Sequence, residues 1–354
     1  MNTVTRPGHH ERSTTGLMRA QILRGAGDLV RGDSPVPAPA PDQVLLRVSH
    51  SGICGTDLKI FSGSMPAPYP IIMGHEIAGE LISGSHGAPL QPGQRVVVDP
   101  VLYCGECNHC RAGRTNLCPH RGIIGREVNG GFADSLVAPA SHVYPLPESI
   151  DDRTAPLIQV LTTCLHAQRR AGVGAGQSVA VAGLGVSGQL HVQLAKARGA
   201  YPVIGISRSA WKRQLAEELG ADITVTPGKE SIEVTSMATN GQGADVVIEC
   251  TGVLGSMADS IAIVRPGGTV LLFGIYTATE GALPFYQLYF KEPTLMSARA
   301  ATSRDFPESI DLVAQGAVRL SPLVTQVLPL SELGQALEML SNDVDGRMKI
   351  ILEN

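Results

Sequence analysis

Residues Gln177–Arg198 read QSVAVAGLGVSGQLHVQLAKAR, and this stretch decides the fold. Its first part, Ser178–Ala182, is a short apolar run typical of a buried strand, and Val186–Arg198 has the apolar spacing of a helix. The turn between them, Gly183–Gly188, has the spacing G-x-G-x-x-G. Glycines at such a turn let the backbone approach a ligand closely, so a pyrophosphate can bind at the positive end of the helix. In a chain with 40 glycines the spacing gains meaning only from the flanking strand and helix, and an ordinary strand-to-helix turn is the alternative.

Further strands and helices alternate after this turn. Pro202–Ile206, Asp245–Cys250 and Thr269–Phe273 are apolar strand candidates, and Trp211–Leu219 has a helical pattern. Strands that alternate with helices form βαβ units and pack as a parallel sheet with helices on both faces. We therefore predict an α/β fold with a doubly wound Rossmann domain over residues 161–294.

The chain before this block has a different pattern. Short strand candidates such as Arg95–Val98 are broken by glycine and proline, which is typical of a β-rich domain. Near the carboxyl end, a helical stretch at Ser331–Leu340 and a strand at Met348–Leu352 are too few elements for a third domain. We therefore expect residues 295–354 to return to the β-rich domain that begins with residues 17–160.

The composition is that of a globular protein, with 43% hydrophobic and 17% charged residues. Lysine and arginine are scattered and the formal net charge is -4, which argues against a nucleic-acid surface. No apolar run of the sequence reaches the length that spans a membrane. Residues 1–16 are polar, so we expect a flexible extension without a secretory signal, and a cytoplasmic protein.

Four of the seven cysteines lie within fifteen residues: Cys104, Cys107, Cys110 and Cys118. An odd number of cysteines clustered in this way is awkward for disulfides and natural for metal ligation in a reducing compartment. The two-residue gaps let neighbouring sulfurs converge on one ion, and four thiolates complete the tetrahedral shell of zinc. The loop predicts a structural zinc site, and the alternative is a set of unrelated thiols in a glycine-rich loop.

Two further potential ligand motifs lie upstream of this loop. Gly52–Asp57 reads GICGTD and contains Cys54, and Met73–Ile77 reads MGHEI and contains His75 and Glu76. A lone cysteine is more often a small buried hydrophobic residue, and a lone histidine is usually hydrogen-bonded inside the scaffold. Neither motif is decisive by itself.

Taken in order, these two motifs, the cysteine loop and the glycine turn resemble the zinc-containing medium-chain alcohol dehydrogenase superfamily. The resemblance runs from about Met18 to the carboxyl end and is closest to the polyol branch, which holds sorbitol and threonine dehydrogenases. It implies a GroES-like catalytic domain beside the Rossmann domain, and a homodimer or homotetramer. It also implies a catalytic zinc held by Cys54 and His75, with Glu76 as a third ligand or as a close partner of the ligands.

One position departs from the family pattern. The remaining ligand position, a cysteine in many alcohol dehydrogenases and a glutamate in polyol types, falls on Gln159. A neutral amide is a poor zinc ligand compared with a thiolate or a carboxylate. We expect Cys54, His75 and Glu76 on the metal and Gln159 in a hydrogen bond to water or substrate there, with direct ligation by Gln159 as the alternative.

The resemblance also implies that the catalytic zinc acts as a Lewis acid, which lowers the pKa of a bound alcohol or polarises a carbonyl. Thr56 matches the hydroxyl that passes the alcohol's proton outward, and a turn-forming threonine is the alternative. The family often has a histidine five residues after the ligand cysteine, and here that position is Lys59. The proton path then runs through Lys59, through ribose hydroxyls or straight to water. The predicted catalytic residues are Cys54, Thr56, Lys59, His75 and Glu76.

The cofactor preference is predicted from the end of the second Rossmann strand. NAD-selective sites have an acidic residue there that binds the ribose 2′-hydroxyl, whereas this chain has Ser207 followed by Arg208. A guanidinium can bind a 2′-phosphate and Lys212 adds positive charge, so we predict NADP(H) in preference to NAD(H). The alternative is that these residues are ordinary solvated charges at the start of a helix.

Two predicted nucleotide-binding residues rest on the resemblance alone. Thr251 follows the strand Asp245–Cys250. By position it resembles a segment that, in members of the family, borders the nicotinamide and the adenosine of the cofactor. Lys349 lies where the family often has a basic residue that reaches the pyrophosphate. The predicted set is Gly183, Leu184, Gly185, Val186, Gly188, Ser207, Arg208, Lys212, Thr251 and Lys349.

These observations favour an oxidoreductase that transfers a hydride between NADP(H) and a secondary alcohol or ketone of a polyol, sugar or cyclitol-like substrate. The stretch Leu283–Glu292 resembles bacterial sugar dehydrogenases, including the 2-deoxy-scyllo-inosamine type, although fold similarity does not by itself determine a substrate. One alternative is a biosynthetic reductase of carbonyl, enal or imine groups on the same fold. Another is a non-catalytic, zinc-stabilised nucleotide-binding protein, which Gln159 and Lys59 favour and the intact Cys54 and His75 oppose.

Overall fold

The computed structural model describes residues 16–83, 90–342 and 346–354. Of the predicted flexible extension, residues 1–15 lie outside this description. The strands are β1 (Leu17–Gly25), β2 (Asp28–Pro35), β3 (Gln43–Gly52), β4 (Ile71–Ile72), β5 (Glu76–Ser83), β6 (Arg95–Val98), β7 (Val101–Leu102), β8 (Gly122–Ile123), β9 (Ser135–Pro139), β10 (Val143–Pro145), β11 (Val179–Ala182), β12 (Val203–Ile206), β13 (Ile223–Val225), β14 (Ala244–Glu249), β15 (Val264–Leu272), β16 (Thr294–Ser297), β17 (Val324–Pro329) and β18 (Lys349–Glu353). The helices are α1 (Gly55–Phe61), α2 (Asn108–Arg111), α3 (Leu157–Ala171), α4 (Val186–Ala197), α5 (Ala210–Glu218), α6 (Lys229–Ala238), α7 (Leu254–Ile263), α8 (Phe285–Lys291), α9 (Asp305–Ala314) and α10 (Leu333–Ser341).

The predicted parallel sheet has the order β13-β12-β11-β14-β15-β16, and each neighbouring pair is parallel. The order reverses between β11 and β14, which is the topological switch point where doubly wound sheets bind nucleotides. All four residues of β11 are buried because helices cover both faces of the sheet. The predicted Rossmann architecture is confirmed.

The β-rich part is also confirmed, as a mixed sheet with the order β10-β6-β5-β3-β18-β17, to which β9 adds by pairing with β3. The carboxyl-terminal strands β17 and β18 lie in this sheet, and β18 runs antiparallel to β3. As a result the last residues of the chain lie beside the strand that leads to the GICGTD motif. None of the helices in residues 16–83, 90–342 and 346–354 is long and apolar enough to cross a membrane.

Helix α3 connects the two sheets. Its buried residues Leu157, Leu161 and Leu165 share one hydrophobic cluster with Leu194 of α4 and Phe306 of α9. The same helix packs against β5 of the β-rich sheet and β15 of the parallel sheet. Helix α3 crosses the predicted domain limit at residue 160 and β16 crosses the one at residue 294, so the exact domain limits stay a prediction.

Candidate active site

The sheet register brings the two upstream ligand motifs together. Gly52, the last residue of β3, pairs with Glu76, the first residue of β5. Cys54 follows as the N-cap of α1, and His75 directly precedes β5. One ligand atom from each of Cys54, His75 and Glu76 lies within 4.8 Å of the others. A sulfur, an imidazole and a carboxylate at such distances form the donor set that zinc prefers.

Asp57 holds two of these ligands from behind. It is completely buried, and its Oδ2 accepts a hydrogen bond from the backbone N–H of Cys54 at 2.9 Å. Its Oδ1 lies 3.3 Å from Nδ1 of His75. A carboxylate behind a histidine determines the orientation of the ring and leaves the other nitrogen, Nε2, for a metal ion.

The ligand cluster also perturbs the pKa values of its own members. Burial by itself would raise the pKa of the Cys54 thiol, but the neighbouring His75 lowers it. Burial would lower the pKa of His75, but Asp57 and Cys54 raise it well above its usual value. The lowered pKa of Cys54 favours its thiolate, which is the form of cysteine that ligates a metal ion.

Lys349 contacts the third member of the cluster. Its Nζ lies 2.6 Å from Oε1 and 2.5 Å from Oε2 of Glu76, and it donates to the backbone O of Ile53 at 2.9 Å. The side chains of Lys349 and Glu76 are 5% and 0% exposed. The structure therefore places the ammonium group of Lys349 against Glu76, and its predicted contact with the pyrophosphate stays a prediction.

The sulfurs of the cysteine loop converge as predicted. Cys104 Sγ lies 3.5 Å from that of Cys118 and 3.9 Å from that of Cys110, and the Cys107 and Cys118 sulfurs are 3.9 Å apart. Zn–S bonds of about 2.3 Å to a tetrahedral ion place neighbouring sulfurs about 3.8 Å apart. The loop geometry therefore fits a zinc ion with a complete protein shell, which is the geometry of a structural site.

A cavity of about 1290 Å³ opens at the carboxyl ends of β11, β12 and β14. It brings together most of the predicted nucleotide-binding residues: Gly183, Leu184, Gly185, Ser207, Arg208, Lys212 and Thr251. Val186 and Gly188 belong to the first turn of α4, directly behind this wall. The position at the switch point is the one expected of a dinucleotide site.

Individual glycines of the turn have distinct structural tasks. Gly183 has a φ of +93°, and a Cβ there would lie 2.6 Å from Cγ2 of Thr251. A Cβ on Gly188 would lie 1.9 Å from the backbone O of Gly183, so only glycine allows this packing of helix on strand. No described atom lies within 4 Å of the Cβ position of Gly185, which leaves that side of the turn open to a ligand.

Comparison with known proteins agrees with this geometry. A family model described as "Alcohol dehydrogenase GroES-like domain" matches residues 40–148, and one described as "Zinc-binding dehydrogenase" matches residues 187–315. L-galactonate-5-dehydrogenase of Escherichia coli K12 is 33% identical over 91% of this chain and 94% of its own length. Sorbitol dehydrogenase of Halalkalibacterium halodurans is 31% identical over 88% of this chain and 92% of its own.

This chain belongs to the zinc-containing medium-chain alcohol dehydrogenase superfamily, in its polyol branch. The structure of a zinc-binding dehydrogenase from Sinorhizobium meliloti 1021 bound to NADP agrees, with a TM-score of 0.89 and 33% identity over 96% of this chain and 100% of that one. The predicted family, fold and enzyme class are confirmed. The alternative of a non-catalytic nucleotide-binding protein is set aside, because the named relatives are dehydrogenases.

Three predicted residues of this dehydrogenase keep roles that are still predictions. Thr56 and Lys59 are half-buried on α1, the helix that Cys54 begins. Gln159 is half-buried in the first turn of α3.

Sequence reasoning missed two residues that the site depends on. Gly52 was only the start of a motif, but a Cβ there would lie 2.0 Å from Oε2 of Glu76, so the carboxylate occupies the space of a side chain. Glu249 ends β14, is completely buried and directly precedes Cys250 and Thr251, which line the nucleotide cavity. An acidic residue in the otherwise apolar run Val246–Cys250 was the one available signal for it.

Proposed function

We propose that this dehydrogenase transfers a hydride between NADP(H) and a secondary alcohol or ketone of a polyol, sugar or cyclitol-like substrate. The observation that carries the proposal is the buried cluster of Cys54, His75 and Glu76 in a chain that also has an open cavity beside its glycine turn. A bound zinc would supply Lewis acidity there, and the nicotinamide would accept or give the hydride.

The chain's own residues have distinct proposed roles in this reaction. Cys54 and His75 hold the metal, and Asp57 orients both of them through contacts of 2.9 and 3.3 Å. Glu76 is either the third metal ligand or a close partner of the two ligands that forms an ion pair with Lys349. Gln159 contacts water or substrate, and Thr56 with Lys59 moves the proton outward from the alcohol.

The preference for NADP(H) rests on the loop after β12. Arg213 donates from Nη1 to the backbone O of Ser207 at 2.7 Å and to that of Arg208 at 2.9 Å, which holds this loop in place. Arg208 is exposed at the rim of the cavity and Lys212 lines it. A loop held in this way, with two cations and no acidic residue between Val203 and Arg213, favours a 2′-phosphate. The relative from Sinorhizobium meliloti, which is bound to NADP, supports the same choice.

Assembly into a homodimer or homotetramer is supported by an aromatic patch on α8. Phe285, Tyr286, Tyr289 and Phe290 are 61–78% exposed. Clustered exposed aromatics usually mark an interaction surface. Light scattering coupled to gel filtration tests this: a monomeric mass at micromolar protein would reject the proposal.

A substrate screen tests the proposed reaction. Zinc-loaded protein is incubated with polyols, cyclitols and their ketones, each with NADP(H) and with NAD(H), and nicotinamide absorbance is followed. We expect turnover of at least one polyhydroxylated secondary alcohol with a higher kcat/KM for NADP than for NAD. Turnover only with enals or imines would establish the reductase alternative, and a higher kcat/KM with NAD would reject the cofactor choice.

A further inference from the structure

Glu249 lies where the loops that follow β14 and β15 meet. Its Oε1 accepts hydrogen bonds from the backbone N–H of Thr251 at 2.8 Å and from the hydroxyl of Thr251. Its Oε2 accepts from the backbone N–H of Gly252 at 3.0 Å and from the hydroxyl of Tyr276 at 2.5 Å. A completely buried carboxylate is stable only when donors surround it, and here donors from both loops do so.

The two loops touch backbone to backbone at this point. Gly252 has a φ of +70°, and a Cβ there would lie 2.7 Å from the backbone O of Ile275. A Cβ on Gly274 would lie 2.2 Å from the backbone N of Gly252 and 3.0 Å from Oε2 of Glu249. The contact therefore requires glycine on both sides, and the carboxylate holds the junction together.

This junction borders the nucleotide cavity. Thr251 lines the cavity, and its methyl group packs against the Cα side of Gly183 in the glycine turn. The hydroxyl of Thr251 points to Glu249 and also accepts from the backbone N–H of Val253 at 3.1 Å. The rotamer of Thr251, and with it the wall that faces the glycine turn, is therefore determined by Glu249.

We propose that Glu249 is a positioning residue for the dinucleotide, which acts by joining the loops after β14 and β15 into one wall of the cavity. This inference rests on the proposed function, since it assumes that the cavity binds a nicotinamide dinucleotide. Glu249 does not touch the reacting atoms. Its effect is transmitted by Thr251 and Gly252 and appears in nucleotide affinity before it appears in turnover.

The substitution Glu249→Gln tests the proposal. A glutamine of the same size places an amide NH₂ against the backbone N–H of Thr251 or of Gly252, and that buried donor loses its acceptor. The Kd for NADP(H) is expected to rise at least about tenfold, given the cost of leaving buried donors unsatisfied. Trp211 is the single tryptophan of the chain and lines the cavity, so its fluorescence reports nucleotide binding directly.

The matched control is Asp245→Asn at the opposite end of the same strand region. Asp245 accepts from the backbone N–H and hydroxyl of Ser178 at 2.9 and 2.7 Å and from Arg265 at 2.7 Å. The control also removes a hydrogen-bonded carboxylate, but away from the cavity. It is expected to lower the Tm and to leave the Kd for the nucleotide within about twofold, since distant sites act independently.

Tyr276→Phe keeps the carboxylate and removes one donor, so it is expected to fold and to raise the Kd by a smaller factor. If Glu249→Gln does not fold, the Kd of Tyr276→Phe for NADP(H) tests the proposal in its place. A wild-type Kd in the variants, or an equal rise in the Asp245→Asn control, would overturn the inference. A loss of kcat at saturating nucleotide with unchanged Kd would also overturn it. If the wild-type protein binds neither NADP(H) nor NAD(H), the proposed function fails first, which is a separate outcome.

Discussion

Lys349 donates a hydrogen bond of 2.6 Å to Oε1 of Glu76 although 273 residues separate them in sequence. The pairing of β18 with β3, and of β3 with β5, brings the two together at the ends of their strands. Both side chains are buried, so each neutralises a charge that would be costly alone. Because Glu76 is also a potential metal ligand, its carboxylate connects the ligand cluster of Cys54 and His75 to β18, the last strand of the sheet in sequence.

Replacing Lys349 by an apolar residue should lower the free energy of unfolding. Lys349→Met leaves the Glu76 carboxylate buried without its cation, and the free energy of unfolding of metal-free protein should fall by about 3–5 kcal/mol. Urea denaturation measures this, with Arg47→Met as a control, since Arg47 and Glu80 form a largely exposed pair at 3.5 Å. If zinc loading restores most of the loss, Glu76 ligates the metal. Equal stability of the two variants would contradict the prediction.

Gly52→Ala should displace the ion pair of Glu76 and Lys349 by a steric clash. Its Cβ would lie 2.0 Å from Oε2 of Glu76 and 3.0 Å from Cε of Lys349, so the ion pair must move. We expect kcat/KM to fall at least about tenfold, because misplacement of catalytic groups by about 1 Å can cost on the order of a hundredfold. The nearby Gly55→Ala is the control, since no described atom lies within 4 Å of its Cβ position. A nearly wild-type kcat/KM for Gly52→Ala would show that the pair is not needed in its present place.

Metal stoichiometry should separate the two zinc sites. Cys107→Ser removes one sulfur from the loop, so the zinc content should fall from two to one per chain and the Tm should drop, because structural zinc contributes folding energy. Atomic absorption and thermal unfolding measure the two effects. Asn108→Ala, at the exposed neighbouring position, should keep both metals. One zinc in the wild-type protein, lost in Cys107→Ser, would leave the Cys54 cluster without metal.

The stability of the fold should depend on the protonation of Asp99. Burial raises the pKa of this carboxyl from 3.8 to about 7, although Val101 and Ser303 donate hydrogen bonds to it. The folded state then holds a proton that the unfolded state has lost, so the free energy of unfolding falls by roughly 1.4 kcal/mol per pH unit between about pH 4 and 7. An asparagine keeps an acceptor for Val101 and has no such proton.

Asp99→Asn should therefore gain stability relative to wild type as the pH rises through that window. Urea denaturation at pH 5 and pH 8 gives the comparison. Asp311→Asn, at an exposed position on α9, should leave the pH dependence unchanged. Parallel pH profiles for wild type and Asp99→Asn would mean that Asp99 is ionised throughout.

Much of the site was predictable because its signals are local. The Gly183–Gly188 turn and the cysteine loop each lie within one short stretch, where spacing alone determines which atoms can converge. The Cys54 and His75 motifs needed the family pattern, since their convergence depends on the register of β3 with β5. The contacts of Glu249 and Lys349 could not be predicted from the sequence, because nothing near either residue in the chain indicates which group it faces in the folded protein.

The amino-acid sequence by itself determined the alternation of elements, the four-cysteine loop and the glycine turn, because turn chemistry, hydrophobic periodicity and ligand spacing act over a few residues. Tertiary structure alone decided which buried charges meet. Lys349 faces Glu76, and Thr251 turns its hydroxyl to Glu249. The physical reason is that a buried charge must find its partner wherever sheet order and register place one, however distant in sequence that partner is.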